Sequence, residues 1–416
     1  MALEALTLAA WATLSASAPA FTLDAAIARG LQANPRLAQA LAIAERAEAT
    51  ATTTRSQWLP TATINAGLTQ LDNNRVLGDR VLVPATSLNA NLSIQLPLLA
   101  LNRWLASGQA AEALKAEQLG AEDAKRLITG LVARAWYQVR LQTQLVEIAE
   151  RAAQTSTRQL ELASRRGEGG LGTQLDVVRA KRELKDNENR WAQARAELAA
   201  SRETLGVVLG LETPAVTEGE PTIPALPSED DAAALVRLRG DVAAAEARVA
   251  VARRRVDESW TDHVPTLVGG FTPFLQSPAT PTQPNVGFTA TIALTQPLYD
   301  GSARSGLRQD RVAALHAALG QRDETVQRAL GDARAALAQA AARAQGAEAA
   351  TASAELAAEA LRMAQVSYQE GAGTSIELVD AERASRDAAT NASVARAQAE
   401  LARVDVLVAC GVWGAK

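Results

Sequence analysis

Residues 87–96 read SLNANLSIQL. Leu88, Ala90, Leu92, Ile94 and Leu96 alternate without a break with Ser87, Asn89, Asn91, Ser93 and Gln95. A period of two predicts a strand with one apolar and one polar face. A run of about ten such residues has the length and texture of a strand that crosses a membrane in a β-barrel. The polar face carries Ser, Asn and Gln but no charge, as the wall of a lumen would. Upstream, Ala62, Ile64, Ala66 and Leu68 alternate with Thr61, Thr63, Asn65 and Thr69, so 60–97 is predicted to be a β-hairpin. The same texture returns at 285–295, where Val286, Phe288, Ala290, Ile292 and Leu294 face away from Asn285, Thr289, Thr291 and Thr295. Its partner, 266–275, is less regular and contains Pro273, and together they predict a second hairpin over 265–297. The enclosed stretches 71–84 and 276–284 are too long for tight turns and are expected to be exposed polar loops. Trp58, Trp104 and Trp260 flank the strand ends and Phe271, Phe274 and Phe288 lie within strands, a placement that fits an interfacial aromatic girdle.

After each hairpin the period changes to that of a helix. Residues 102–166 contain no proline and run to Gly167, which at about 1.5 Å per residue is about 100 Å of helix. Apolar or small residues stand at 128, 132, 135, 139, 146 and 149, with Gln142 the one lapse. Steps of four and three make a coiled-coil seam. A glycine-rich turn at 167–172 reverses the chain. The returning helix carries Val177, Ala180, Leu184, Trp191, Ala194, Leu198, Leu205 and Val208 at the same spacing, interrupted by Asn187 and Ser201.

The chain is two copies of one unit. Leu59-Pro60-Thr61 recurs as Val264-Pro265-Thr266, and Ile94-Gln95-Leu96-Pro97-Leu98 as Leu294-Thr295-Gln296-Pro297-Leu298. Gly170-Leu171-Gly172-Thr173 recurs as Gly371-Ala372-Gly373-Thr374. The order is kept and the offset stays near 200 throughout, which is the mark of duplication. The predicted organisation is a first repeat over 21–210 with a helical hairpin at 102–210, a proline-rich linker at 211–228, and a second repeat over 229–412 with a helical hairpin at 302–411. Residues 1–20 read MALEALTLAAWATLSASAPA. An apolar run followed by Ala18-Pro19-Ala20 resembles a secretory signal peptide cleaved after Ala20, although Glu4 stands where such peptides carry a positive charge.

Composition removes several function classes. Over 416 residues the net charge is −4, without the basic face that nucleic-acid binding requires. Cys410 is the only cysteine, so neither an intramolecular disulfide nor a thiolate zinc cluster can form. It reads as a small buried hydrophobe. The two histidines, His263 and His316, stand in different elements, and no phosphate loop, catalytic triad order or metal-spaced cluster accompanies them. No enzyme, metal or cofactor is expected. No run of 18 or more apolar residues follows the N-terminal segment, so entry into a membrane would have to be as a barrel. Four strands cannot close one. Three chains would supply twelve, an even number within the known range, whereas two would give a barrel filled by its own side chains.

The whole of 21–412 resembles the TolC family of outer-membrane factors. The resemblance rests on Asn34-Pro35, on Leu96-Pro97-Leu98 and Gln296-Pro297-Leu298-Tyr299-Asp300-Gly301 after the strands, and on the two helix-turn segments at 165–177 and 368–381. It implies a mixed α and β fold. Three chains would share a twelve-stranded membrane β-barrel, four strands from each, continuous with a long α-helical coiled-coil barrel. It also implies a homotrimer set in outer-membrane lipid with its helical part in the periplasm. The partners implied are a periplasmic adaptor, or membrane fusion protein, and through it an inner-membrane pump of RND or ABC type. Transport through the duct would be passive. Glu377 and Asp380 match the family's periplasmic constriction ring, two acidic positions three apart on one helical face. Tyr368 and Asp176 match its gate contacts, and Gly373 stands where some members carry a gating arginine. Arg165, Gly170, Gly172 and Thr173 in the first turn, with Gly371, Gly373 and Thr374 in the second, fall where adaptors are met. The competing reading is a periplasmic coiled-coil adaptor or structural protein, which has no use for the alternating strands. The compact length and short outer loops resemble metal- and drug-efflux members.

Overall fold

The computed structural model describes residues 18–78, 80–169, 173–221, 223–281 and 283–413. The signal-peptide reading therefore lies, for 1–17, outside the described residues. In chain order the elements are β1 (Ala20–Phe21), α1 (Leu23–Ala33), α2 (Pro35–Ser56), β2 (Thr61–Gln70), β3 (Arg75–Leu77), β4 (Arg80–Val83) and β5 (Thr86–Leu99). Then come α3 (Leu101–Glu168), α4 (Gln174–Val208), β6 (Val216–Thr217), α5 (Glu229–Val236), α6 (Gly240–Asp257), β7 (Thr266–Ser277), β8 (Val286–Thr295), α7 (Ala303–Gln369) and α8 (Ser375–Ala409). The order helix, strand pair, long helix, returning helix occurs twice.

The chain divides into two compact units, and each draws on both repeats. One comprises 41–121 and 241–325 and holds the main sheet. Its strands run in the order β2-β5-β7-β8, all antiparallel. The alternation in the sequence sets the register. Ile64 stands opposite Leu92, Ala66 opposite Ala90 and Leu68 opposite Leu88. Ile94 meets Phe271, and Phe271 meets Ala290. One face is thus apolar across all four strands. The other is polar, with Asn65 donating to Asn91 at 3.1 Å. Phe274 breaks the pattern: it lies opposite Asn91 and Gly287 on the polar face, not with the Phe271–Phe288 pair, whose ring centroids are 5.5 Å apart. Gly287 makes the room, since a Cβ there would lie 2.6 Å from the Phe274 ring.

The loop expected at 71–84 is more ordered than its composition predicted. β3 and β4 form a small hairpin within it and leave Val76, Leu77 and Val83 exposed. In the same unit Arg254 bridges Glu112 at 2.5 Å and Glu258 at 2.6 Å, so α6 is tied to α3 and to the turn that follows it.

The other unit comprises 1–40, 122–240 and 326–416 and holds the principal core. Ile128, Val132 and Val139 of α3 pack with Leu198 and Leu205 of α4, all on the predicted 3,4 seam, and with Trp136 of α3 and Val404 and Val408 of α8, which that seam did not include. Asn34 joins two helices and a third: its amide donates to the Val208 carbonyl at 3.1 Å and its carbonyl accepts from Arg36 N at 2.9 Å. Pro35 opens α2, where a missing N–H costs nothing. The stretch read as a linker is partly structural. β6 pairs in parallel with β1, and Ala215 beside it is fully buried. At the end of α8, Arg126 donates to the Val408 carbonyl and Arg239 to the Ala409 carbonyl, both at 2.9 Å. Two carbonyls that a helix end leaves without intrahelical partners are satisfied in this way. Cys410 beside them is buried.

Candidate functional site

The two helix turns share one local design. Thr173 caps α4: its hydroxyl accepts from Asp176 N at 3.2 Å and Asp176 Oδ2 accepts from Thr173 N at 3.1 Å. Thr374 caps α8 in the same way, with 3.2 Å from Glu377 N and 2.9 Å to the Glu377 carboxylate. Each is a capping box that places an acid in the first turn of a helix, where the dipole favours it. Gly371 turns the chain with φ of 79°. Gly373 packs closely on Ser367: a Cβ would lie 2.9 Å from the Ser367 hydroxyl and 3.2 Å from its backbone, so a larger residue would require Ser367 to shift. Gly170 and Gly172 lie outside the described residues.

The turns meet through contacts that only partly match the sequence reading. Asp176 accepts from the Ser375 hydroxyl, from the Thr173 hydroxyl at 2.8 Å, and lies 3.9 Å from Arg179. Those two hydroxyls hold its carboxyl below the ordinary aspartate range against the opposing effect of burial. Tyr368 is buried but meets Arg166, whose Nη1 donates to the Tyr368 carbonyl at 2.6 Å and whose guanidinium sits 4.5 Å from the ring centroid. In this structure the expected Asp176–Tyr368 pair is thus replaced by two parallel contacts, Asp176–Ser375 and Arg166–Tyr368. Glu377, Asp380, Arg165, Thr173 and Thr374 are exposed. Arg165 makes a loose ion pair with Glu161 at 3.9 Å.

Deeper in the same helices lies a cluster that the sequence reading missed. Glu183 of α4, 2% exposed, accepts two N–H groups of Arg383 and one of Arg386, the last at 3.3 Å. Burial pushes the Glu183 carboxyl up, but the two guanidinium groups more than offset this and hold it below the ordinary glutamate value. Asn187 accepts from Arg386 at 2.8 Å and donates to Ser156 at 2.7 Å, which links α3, α4 and α8. The signal was present as the interruption of the α4 seam at Asn187, since a polar residue in a seam commonly fixes register.

Among the described residues no group of His, Cys, Asp and Glu could hold a metal ion, and no helix is long and apolar enough to cross a membrane. The model of the outer membrane efflux protein family matches residues 26–211 and 234–412. The chain belongs to the outer membrane efflux protein family. Solved structures share the fold of this family member. The outer membrane protein VceC from Vibrio cholerae is 19% identical, with TM-score 0.77 over 94% of this chain and 96% of its own. The MtrE outer membrane channel of Neisseria gonorrhoeae, in its open state, is 20% identical, with TM-score 0.81 over 95% and 89%. CusC, described as forming a transmembrane channel, is 16% identical with TM-score 0.82 over 96% and 95%. No curated protein sequence matches this chain. The chain is an outer-membrane channel protein of efflux systems with a helical part in the periplasm. Its family is one of passive channels. The adaptor-like reading gives way to the channel reading.

Proposed function

We propose that three copies of this chain close one duct through the outer membrane, and that the two helix turns form its periplasmic gate and adaptor-docking tip. The open sheet carries the proposal. Its outer strands β2 and β8 each have one unpaired edge within the chain, and in lipid every unpaired backbone group costs several kcal/mol. A third chain brings the strand number to twelve. Interior polar faces then line a pore and the apolar faces meet lipid. Energy for export comes from an inner-membrane pump of RND or ABC type, engaged through a periplasmic adaptor at Arg165, Thr173, Gly371 and Thr374. Unheated gel electrophoresis of outer-membrane fractions tests the assembly. A heat-modifiable band at three times the monomer mass supports it, and a monomer that does not insert overturns it.

Glu377 and Asp380 supply the charge of the constriction. In a closed ring of three copies they stack six carboxylates around one axis, which attracts cations. Replacing both, as Glu377→Gln and Asp380→Asn, is expected to shift the reversal potential of bilayer-reconstituted channels in a salt gradient toward zero, with retained conductance. An unchanged reversal potential places the ring elsewhere. Asp176 has two tasks, completing the capping box that Thr173 opens on α4 and holding Ser375. Asp176→Ala is expected to cost about 0.3–1 kcal/mol as a lost first-turn acid of the capping box and to raise the resting conductance several-fold. Ser375→Ala, which spares the cap, should raise conductance without the loss of stability. If neither changes the resting conductance, the Asp176–Ser375 contact is not part of the gate.

A further inference from the structure

Glu382 of α8 sits beside the Glu183 cluster, and nothing in the function described so far uses it. Its Oε1 is buried and has no hydrogen-bond partner. It lines a cavity of about 190 Å³ together with Arg151, Ser156, Asn187, Leu361 and Arg386. A carboxylate oxygen left without a partner away from water is costly in its charged form. A neighbouring carboxylate raises that cost. Glu183 is that neighbour, and its own charge is already held by Arg383 and Arg386. The site therefore contains a buried acid, Glu183, and a half-buried one, Glu382, and Glu183 holds the guanidinium groups of Arg383 and Arg386.

The charged groups facing Glu382 come from three of the four helices around it. α3 contributes Arg151, which is paired with Glu147 at 3.2 Å. α4 contributes Glu183. α8 contributes Arg386, whose other bonds go to Asn187 and Asp387. α7 contributes Leu361 to the cavity wall. We propose that Glu382 is a proton-controlled catch on the join between α4 and α8. Neutral Glu382 leaves Arg383 and Arg386 on Glu183 and keeps the two helices together. Ionised Glu382 adds a second negative charge beside Glu183, competes with it for Arg386 and loosens the join.

Burial, followed by the charge on Glu183, pushes the Glu382 carboxyl up to about 7, against a smaller opposing effect of Arg386. A carboxyl whose value is raised in the joined state binds its proton more tightly there than in the loosened state. The joined state is thus favoured at low pH, and the advantage is lost as pH rises through about 7. Linkage between an ordinary glutamate in the loosened state and this raised value gives about a tenfold loss of the joined state between about pH 6 and about pH 8.

Hydrogen exchange of the purified full-length oligomer, corrected for intrinsic rates, tests this. Amide protection in 176–190 and 375–390 is expected to fall about tenfold across that pH interval in the wild type. It is expected to be flat and high in Glu382→Gln, and flat and low in Glu183→Gln. A flat wild-type profile overturns the proposal without any variant, as does a Glu382→Gln profile that keeps the wild-type pH dependence. Bilayer conductance is the second arm and rests on the channel reading. If the exchange profiles come out as stated while no preparation conducts, the catch stands and the channel reading fails. If channels conduct and Glu382→Gln retains the wild-type pH profile, the catch fails and the channel reading stands.

Discussion

Trp136→Ala is expected to lower the stability of the helical unit by about 3–5 kcal/mol, the range for emptying a fully buried aromatic site. Trp136 has no solvent exposure. Its ring meets Tyr137 edge-on with centroids 5.2 Å apart, and its indole N–H donates to the Phe21 carbonyl at 2.9 Å. The second contact extends the effect beyond the cavity. Phe21 belongs to β1, which pairs with β6, so losing the indole also releases the short strap that fastens the segment between the repeats. Trp136→Phe separates the two contributions. It keeps most of the packing but removes one of the two donors to the Phe21 carbonyl, which keeps Glu218 N at 2.9 Å, for about 0.5–1.5 kcal/mol. Urea titration followed by helical ellipticity measures both. A Trp136→Phe midpoint as low as that of Trp136→Ala would show that the strap, and not the filled volume, carries the stability.

Ile64→Arg should abolish stable assembly in the membrane. Ile64 is 78% exposed in the isolated chain, lies opposite Leu92 and sits near the middle of β2 on the continuous apolar face. A guanidinium at mid-depth on the lipid-facing side of a barrel costs about 2–4 kcal/mol per strand. An oligomer repeats the substitution in every copy, and the costs accumulate. Asn65→Arg, one residue along on the polar face, is the matched control and should be tolerated. The fraction of heat-modifiable oligomer in outer-membrane preparations reads the difference. Equal loss in both variants would mean that the faces are assigned the wrong way round.

How much could be read in advance depends on the range of the interaction. The strands were legible because alternation is local: Leu88 to Leu96 state their face residue by residue, and pairing a strand with its hairpin partner follows. The seam residues Val132, Val139, Leu198 and Leu205 were legible for the same reason at helical period. Phe274 was placed with the other aromatics because its face depends on Gly287 giving it room across the ladder. The order in the 71–84 loop was missed because composition does not report the β3–β4 pairing. At the two helix turns, family likeness pointed to Asp176 and Tyr368 but not to their partners. Ser375 and Arg166 are ordinary surface residue types, and only the placement of the second turn against the first gives them a role. Glu183, Arg383 and Arg386 carry no sequence signal that sets them apart from other charges of their helices. Their burial arises from helices that are neighbours in space and distant in the chain, which no local period encodes.

The central ladder of the sheet joins β5 to β7, so that Ile94 is matched with Phe271. Each β-hairpin can zip by itself from nearby residues, but this ladder must bring together segments that belong to different repeats. The entropy of closing so long a loop grows only slowly with its length, yet pairings of this kind dominate the time a chain takes to reach its native topology. Until the second hairpin has formed, β5 carries a row of unsatisfied amides beside an apolar face. A chain arriving from its N-terminus passes through that state every time it is made. Its most aggregation-prone moment falls between the completion of the first repeat and that of the second, and a chaperone acting on it has that interval in which to work.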